Sequence, residues 1–191
     1  MVIYEGIKAL ASSLNESFRS SQRWSGDRVV LSGLAEPDGN PPLLIENKLV
    51  LTLLTLDNES TLKNLTAKPR RIDGMLGQGA HSYHFNANLL MSAACTNYDE
   101  GLKLLSDGIS FMLAKGSLTH QNTPSLPDSI TKLTTETVQV SIEHLSHIWG
   151  AIGSKLLPAV LFKMRMITVS GKPQTYVPEI KGSDLDKSTT G

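Results

Sequence analysis

The sequence predicts an α+β fold in which a mixed β-sheet is flanked by helices, and three stretches carry that expectation. "NKLVLTLLTLDN", residues 47–58, is apolar at both parities, as in a strand covered on both faces. "PAVLFKMRMITV", residues 158–169, sets Val160, Phe162, Met164 and Met166 on one side and Lys163 and Arg165 on the other. Between them "NYDEGLKLLSDGISFMLAKG" has the start, stripe and stop of a long helix. Grouped strands around one long helix pack as a sheet with helices laid on it.

The elements follow in order. Ile3, Ile7, Leu10, Leu14 and Phe18 recur every three or four residues, with Lys8, Ser12 and Asn15 between them, so the chain opens with an amphipathic helix. "RVVLSGL" reads as a short strand, and "EPDGNPP" as the turn of a hairpin-like connection to the central strand. From Glu59 to Ser82 periodicity is lost, Lys68, Arg70 and Arg71 gather, and "GMLGQGAHS" closes a long loop.

In "YHFNANLLMS" Tyr83, Phe85, Ala87, Leu89 and Met91 face a core, while His84, Asn86 and Asn88 face solvent or a subunit contact. Asn97 with Glu100 forms a capping box, Leu102, Leu105, Ile109, Met112 and Leu113 form the buried stripe, and Gly116 ends the helix. After the proline-rich loop "SLTHQNTPSLPDS", Val138, Val140 and Ile142 alternate with polar residues in a further strand. "SGKPQTYVPEIKGSDLDKSTTG" has no helical period. It sets the domain organisation as a folded unit over 1–169 and an extended arm or tail over 170–191, with Tyr176 and Val177 as an unpaired segment able to add to a neighbour's sheet.

Composition narrows the function. With 18 basic and 18 acidic residues, the chain lacks the positive field of a nucleic-acid binder. The single Cys95 lies in the apolar "NLLMSAAC" and reads as a buried, inert thiol. The N-terminus carries no basic leader with a cleavage pattern, and no apolar run reaches the about 20 residues of a membrane span, so the expectation is folding in the cytoplasm without membrane insertion.

The stretch "EHLSHIWGAIGSK" poses the one chemical question. His144 and His147 stand one turn apart and offer two nitrogens, but no third ligand is marked; His81 and His84 repeat the spacing at an odd separation that splits them across a strand. Leu145, Ile148, Trp149 and Ile152 form a packing stripe, with Gly150 set for close helix approach and Gly153 to end the helix. HExxH, GxSxG and paired CxxC motifs are absent, and "GMLGQG" lacks the strand and helix of a nucleotide-binding turn. The reading is packing: no catalytic, cofactor or metal residues, with a histidine-based metal enzyme as the alternative. The basic Lys163 and Arg165, and Arg70 and Arg71, are solvated charge or contacts to a ring-shaped or acidic partner surface.

Several blocks together, "IYEGIKALASSL", "ENKLVLTLLTLDNESTLKN", "YHFNANLLMSA", "NYDEGLKLLSDGISFM" and above all "HLSHIWGAIGSKLLPAVLFKMRMI", resemble the cap or tail-terminator family of phage-tail-like contractile injection systems, over residues 2–169. The resemblance implies a tail-terminator-like fold and a structural role without catalysis. It further implies a homo-hexameric ring that binds the distal end of inner tube and sheath, ends their growth and holds the extended sheath. The alternative within assembly proteins is a ring component at the tube–baseplate end. The candidate interface residues are His84, Asn86, Asn88, Arg70, Arg71, Lys163, Arg165, Tyr176 and Val177.

Overall fold

The opening helix, α1 (Val2–Ser20), buries Ile7, Leu10, Leu14 and Phe18 along the expected stripe. The structure is a computed structural model that describes residues 2–58, 70–72, 75–77, 82–169 and 176–178. After α1 come β1 (Val29–Leu31), a 3-10 turn at Leu43–Ile45, β2 (Lys48–Asn58), β3 (Arg70–Ile72), β4 (Met75–Gly77) and β5 (Ser82–Ala94). The chain continues with α2 (Tyr98–Lys115), β6 (Ser117–Leu118), β7 (Ile130–Val138), α3 (Ile142–Ile152), β8 (Ala159–Val169) and β9 (Tyr176–Pro178).

Six strands form one mixed sheet in the order β1-β2-β5-β8-β7-β6. β1 runs parallel to β2, and every other neighbouring pair is antiparallel. The hairpin expected between β1 and β2 is therefore wrong. Residues 32–47 are long enough to carry the chain back to the starting end of the sheet, as a parallel pair demands. On the way they bury Leu34 and Ile45 against the sheet.

Both faces of β2 are covered over Leu49–Leu51, as its double-parity pattern predicts, whereas Leu53 and Leu56, expected to be covered too, are exposed. On one face Leu49, Leu51, Leu89, Met91, Phe162, Met164 and Met166 meet α1 and α2. On the other, Val50 and Leu90 pack with Trp149 of α3, Leu34 and Ile45. Each such fully buried side chain contributes on the order of 1.5–3 kcal/mol.

The buried stripe of α2 differs from the expected one. Its inward face is Gly101, Leu104, Leu105, Gly108 and Met112, whereas Leu102 and Leu113 are exposed. The glycines explain the rotation. A Cβ at Gly108 would lie 2.8 Å from Leu49 Cδ2 and 3.1 Å from Met91 Sδ, so the helix backbone seats directly on β2 and β5. Asn97 caps α2 by accepting from the Asp99 and Glu100 amides at 3.0 and 3.3 Å, and Gly116 ends it as expected.

Other expectations shift as well. The segment from Glu59 to Ser82 holds two short strands, β3 and β4, and Tyr176–Pro178 pairs with β4 as β9 instead of standing unpaired. Pro178 is tolerated there because β9 is an edge strand of that three-stranded sheet. The strand before α3 buries Ile130 and Leu133 and ends at Val138; Ile142 opens α3 with its side chain in solvent. Asn15, expected on the solvent side of α1, is buried.

Candidate functional site

The nine candidate residues sort into two places. Asn86 and Asn88 on β5 stand opposite Arg165 and Lys163 on β8, which in turn face Thr134 and Glu136 on β7. On the β2 side the same rows end at Asp57 and Thr55. The result is a polar patch four strands wide, on the α3 side of the sheet beyond the apolar contact with Trp149. His84 pairs with Ile167 in the same ladder; its side chain lies outside the described residues.

Within the patch, Asn88 Nδ2 donates to Thr55 Oγ1 at 2.7 Å. Arg165 stands 3.5 Å from Glu136, with both side chains about half exposed, so the pair contributes at most roughly 1 kcal/mol. That pairing makes the patch mixed in charge instead of basic, which does not favour a specifically acidic partner. Asn86 is 6% exposed, and its Oδ1 has no hydrogen-bond partner. Such a carbonyl is costly to leave unmatched.

The second place is the sheet of β3, β4 and β9. Arg71 stands opposite Leu76, which stands opposite Val177; Arg70, Gly77 and Tyr176 form the adjacent row. Two stretches a hundred residues apart in sequence therefore share one small sheet. Their side chains lie outside the described residues.

The histidine stretch folds as a capped helix. Ser141 Oγ accepts from the His144 amide at 3.3 Å and lies 2.9 Å from His144 Nδ1. Gly153, in the left-handed region at φ 71°, closes the other end. Trp149 is 5% exposed against Leu90 and Val50, while His144 and His147 are exposed, edge to face with ring centroids 6.5 Å apart. Gly150 is exposed and meets no neighbour within 4 Å, so the close approach expected of it is absent. Among the described residues no three His, Cys, Asp or Glu side chains converge as metal ligands; His81 lies outside them.

Two features had no sequence signal. A cavity of about 690 Å³ opens between the β1–β2 connection and the end of α3, lined by Leu34, Pro42, Ile45, Cys95 and Leu157. Burial, and then Glu100, push the Cys95 thiol on its wall up, with Arg28 opposing. A raised pKa keeps it a neutral thiol and a poor nucleophile. The other feature is a clamp on β1. Asn15 Oδ1 accepts from the Arg28 and Val29 amides at 2.9 and 2.8 Å, and its Nδ2 donates to the Val29 carbonyl at 2.9 Å. Among the described residues no helix is long and apolar enough to cross a membrane.

Comparison with known proteins agrees with this architecture. Residues 4–181 match the Pvc16 N-terminal domain family. The fold is similar to the cryo-EM structure of the sheath/tube terminator of an extracellular contractile injection system, PVC, in its extended state. The TM-score is 0.62 at 12% identity, covering 100% of this chain and 65% of that one. It is also similar to the anti-feeding prophage cap, described as a tube-terminating cap, with TM-score 0.55, 13% identity and coverage of 94% and 61%. The chain thus spans just under two thirds of the length of either neighbour. No curated protein sequence matches.

Proposed function

The chain belongs to the Pvc16 N-terminal domain family, and from that premise we propose that it is a structural cap, or tail terminator, of a contractile injection system. The observation that carries the reading is the likeness, over all of this chain, to a sheath/tube terminator. In this role six copies close into a ring on the distal end of inner tube and sheath, end the growth of both and hold the sheath extended. A cyclic ring repeats each contact patch around the axis, so individually weak contacts act with high collective affinity.

The work is adhesive, without catalysis, and needs no cofactor. The four-strand patch with Asn86, Asn88, Lys163 and Arg165 and the small sheet with Arg70, Arg71, Tyr176 and Val177 are the proposed contact regions, joined by His84. Residues 1–169 are the ring-forming domain and 170–191 an arm. Assembly takes place in the cytoplasm, on a particle that is then released or retained.

Gene deletion followed by electron microscopy of the particles tests the role. Particles without the chain should vary in length or lose sheath; uniform, intact particles would refute it. Light scattering on the purified chain tests the ring, which should scatter at about 124 kDa, six times 20.7 kDa.

A further inference from the structure

We infer that the outer edge of β2 from Leu53 to Asn58 accepts a β-strand from a subunit of the polymer that this chain terminates. The observation is a mismatch of lengths. β2 spans Lys48–Asn58, but β1 pairs with it only at Leu49–Leu51. The last bonds across that gap are Ser32 N to Leu51 O at 3.3 Å and Thr52 Oγ1 to Ser32 O at 2.7 Å. Beyond them, roughly 20 Å of strand has no partner on this side among the described residues.

The ladder fixes which main-chain groups are open. The Leu49 amide donates to Arg28 O and Leu51 O accepts from Ser32, so odd-numbered residues point away from β5 at the start of β2. A register shift between Leu53 and Thr55 reverses the parity. Leu53 therefore points outward before the shift, and Leu56 and Asn58 after it.

Side-chain chemistry specifies the incoming strand. Leu53 and Leu56, opposite the buried Leu89 and Ala87, lie on the helix-covered face yet are 42% and 39% exposed. Thr55 and Asp57 are exposed on the other face. The matching segment is an alternating strand, apolar toward the leucines and polar toward Thr55 and Asp57, held by main-chain bonds.

A second copy of this chain fits poorly. Beyond β6, the free edge of β7 places Thr135 and Thr137 on the helix-covered face and Glu136 on the other, threonines against leucines and a carboxylate against Asp57. β9 is only three residues long, half the length of the open edge from Leu53 to Asn58. These edges match the open stretch less well than a strand from a different polypeptide would, and assigning that strand to the tube or sheath polymer rests on the terminator reading.

The test is hydrogen exchange on the full chain alone, with purified inner tube and with purified sheath, together with binding by Leu56→Pro and Leu56→Ala. Proline at 56 removes an outward N–H and leaves the β5 ladder intact. We expect one polymer to slow exchange of the Leu53 and Leu56 amides by about tenfold or more, Leu56→Pro to bind at least about tenfold more weakly, and Leu56→Ala to stay within about threefold. Binding without protection at this edge, or unchanged binding by Leu56→Pro, would overturn the edge alone. Protection already present in the partner-free chain would assign the edge to a second copy or to the chain itself, and also overturns it. Failure of the wild type to bind either polymer would overturn the terminator reading, and this proposal with it. Should Leu56→Pro not fold, the wild-type exchange data decide.

Discussion

The side chain of Asn15 holds Val29 at two points, accepting its amide at 2.8 Å and donating to its carbonyl at 2.9 Å. Val29 belongs to an edge strand, and these are the main-chain groups that its pairing with β2 leaves over, so α1 seals the edge with one amide. Both partners are buried, which makes an unpaired group costly. Asn15→Ala should lower stability by about 2–4 kcal/mol, and Asn15→Asp, which lacks the donor, should also destabilise. Urea unfolding measures both; a loss below about 0.5 kcal/mol for the alanine variant would mean that the clamp is not formed.

Two glycines should respond in opposite directions. Gly108 sits where an added Cβ would press on Leu49 and Met91, so Gly108→Val should destabilise by about 1–3 kcal/mol through overpacking. Gly150 lies inside α3 with nothing within 4 Å, and Gly150→Ala should stabilise by about 0.5–1 kcal/mol through helix propensity. Thermal unfolding of the pair separates close packing from local propensity.

These residues also mark how far the sequence could be read. Hydrophobic period located the three helices and the long strands of the main sheet, because burial of Leu, Ile, Val and Met dominates the pattern. It placed Trp149 in a core and His144 and His147 at its edge. The likeness to cap proteins drawn from the blocks around α3 and β8 agrees with the family match. Period failed where packing relied on what carries no hydropathy. The inward face of α2 is set by Gly101 and Gly108, and Asn15 is buried because its amide matches a strand edge. β1 is parallel, and residues 32–47, which bury Leu34 and Ile45 on their way across the sheet, read in sequence only as a turn. For the interface residues, alternation brought Asn86, Asn88, Lys163 and Arg165 to one face, but strand order, which period does not encode, joined Arg70 and Arg71 to Tyr176 and Val177.

The histidine pair offers a clean test of packing against metal chemistry. His144 and His147 are exposed and stand near each other without a third ligand among the described residues. His144→Ala with His147→Ala should change stability by less than about 0.5 kcal/mol, and added zinc should not raise the unfolding temperature. Ser141→Ala, which removes the cap of α3, should cost about 1 kcal/mol. Stoichiometric metal in unchelated protein, lost in the histidine variants, would reverse this reading.

Charge reversal tests the four-strand patch as a contact surface. Lys163 and Arg165 lie on the polar side of β8, and the Arg165–Glu136 pair is about half exposed, so Lys163→Glu with Arg165→Glu should leave the fold within about 1 kcal/mol of wild type. On a rim of repeated contacts the same change turns two positive charges per copy into negative ones at a surface matched to the wild-type charge pattern, and binding should weaken at every position of the ring at once. Particles complemented with this variant should then resemble the deletion in length distribution and sheath retention, while a control reversal at Lys103, on an exposed face of α2, caps normally. Normal particles from the doubly reversed variant would remove this patch from the contact surface and leave the small sheet of β3, β4 and β9 to carry it.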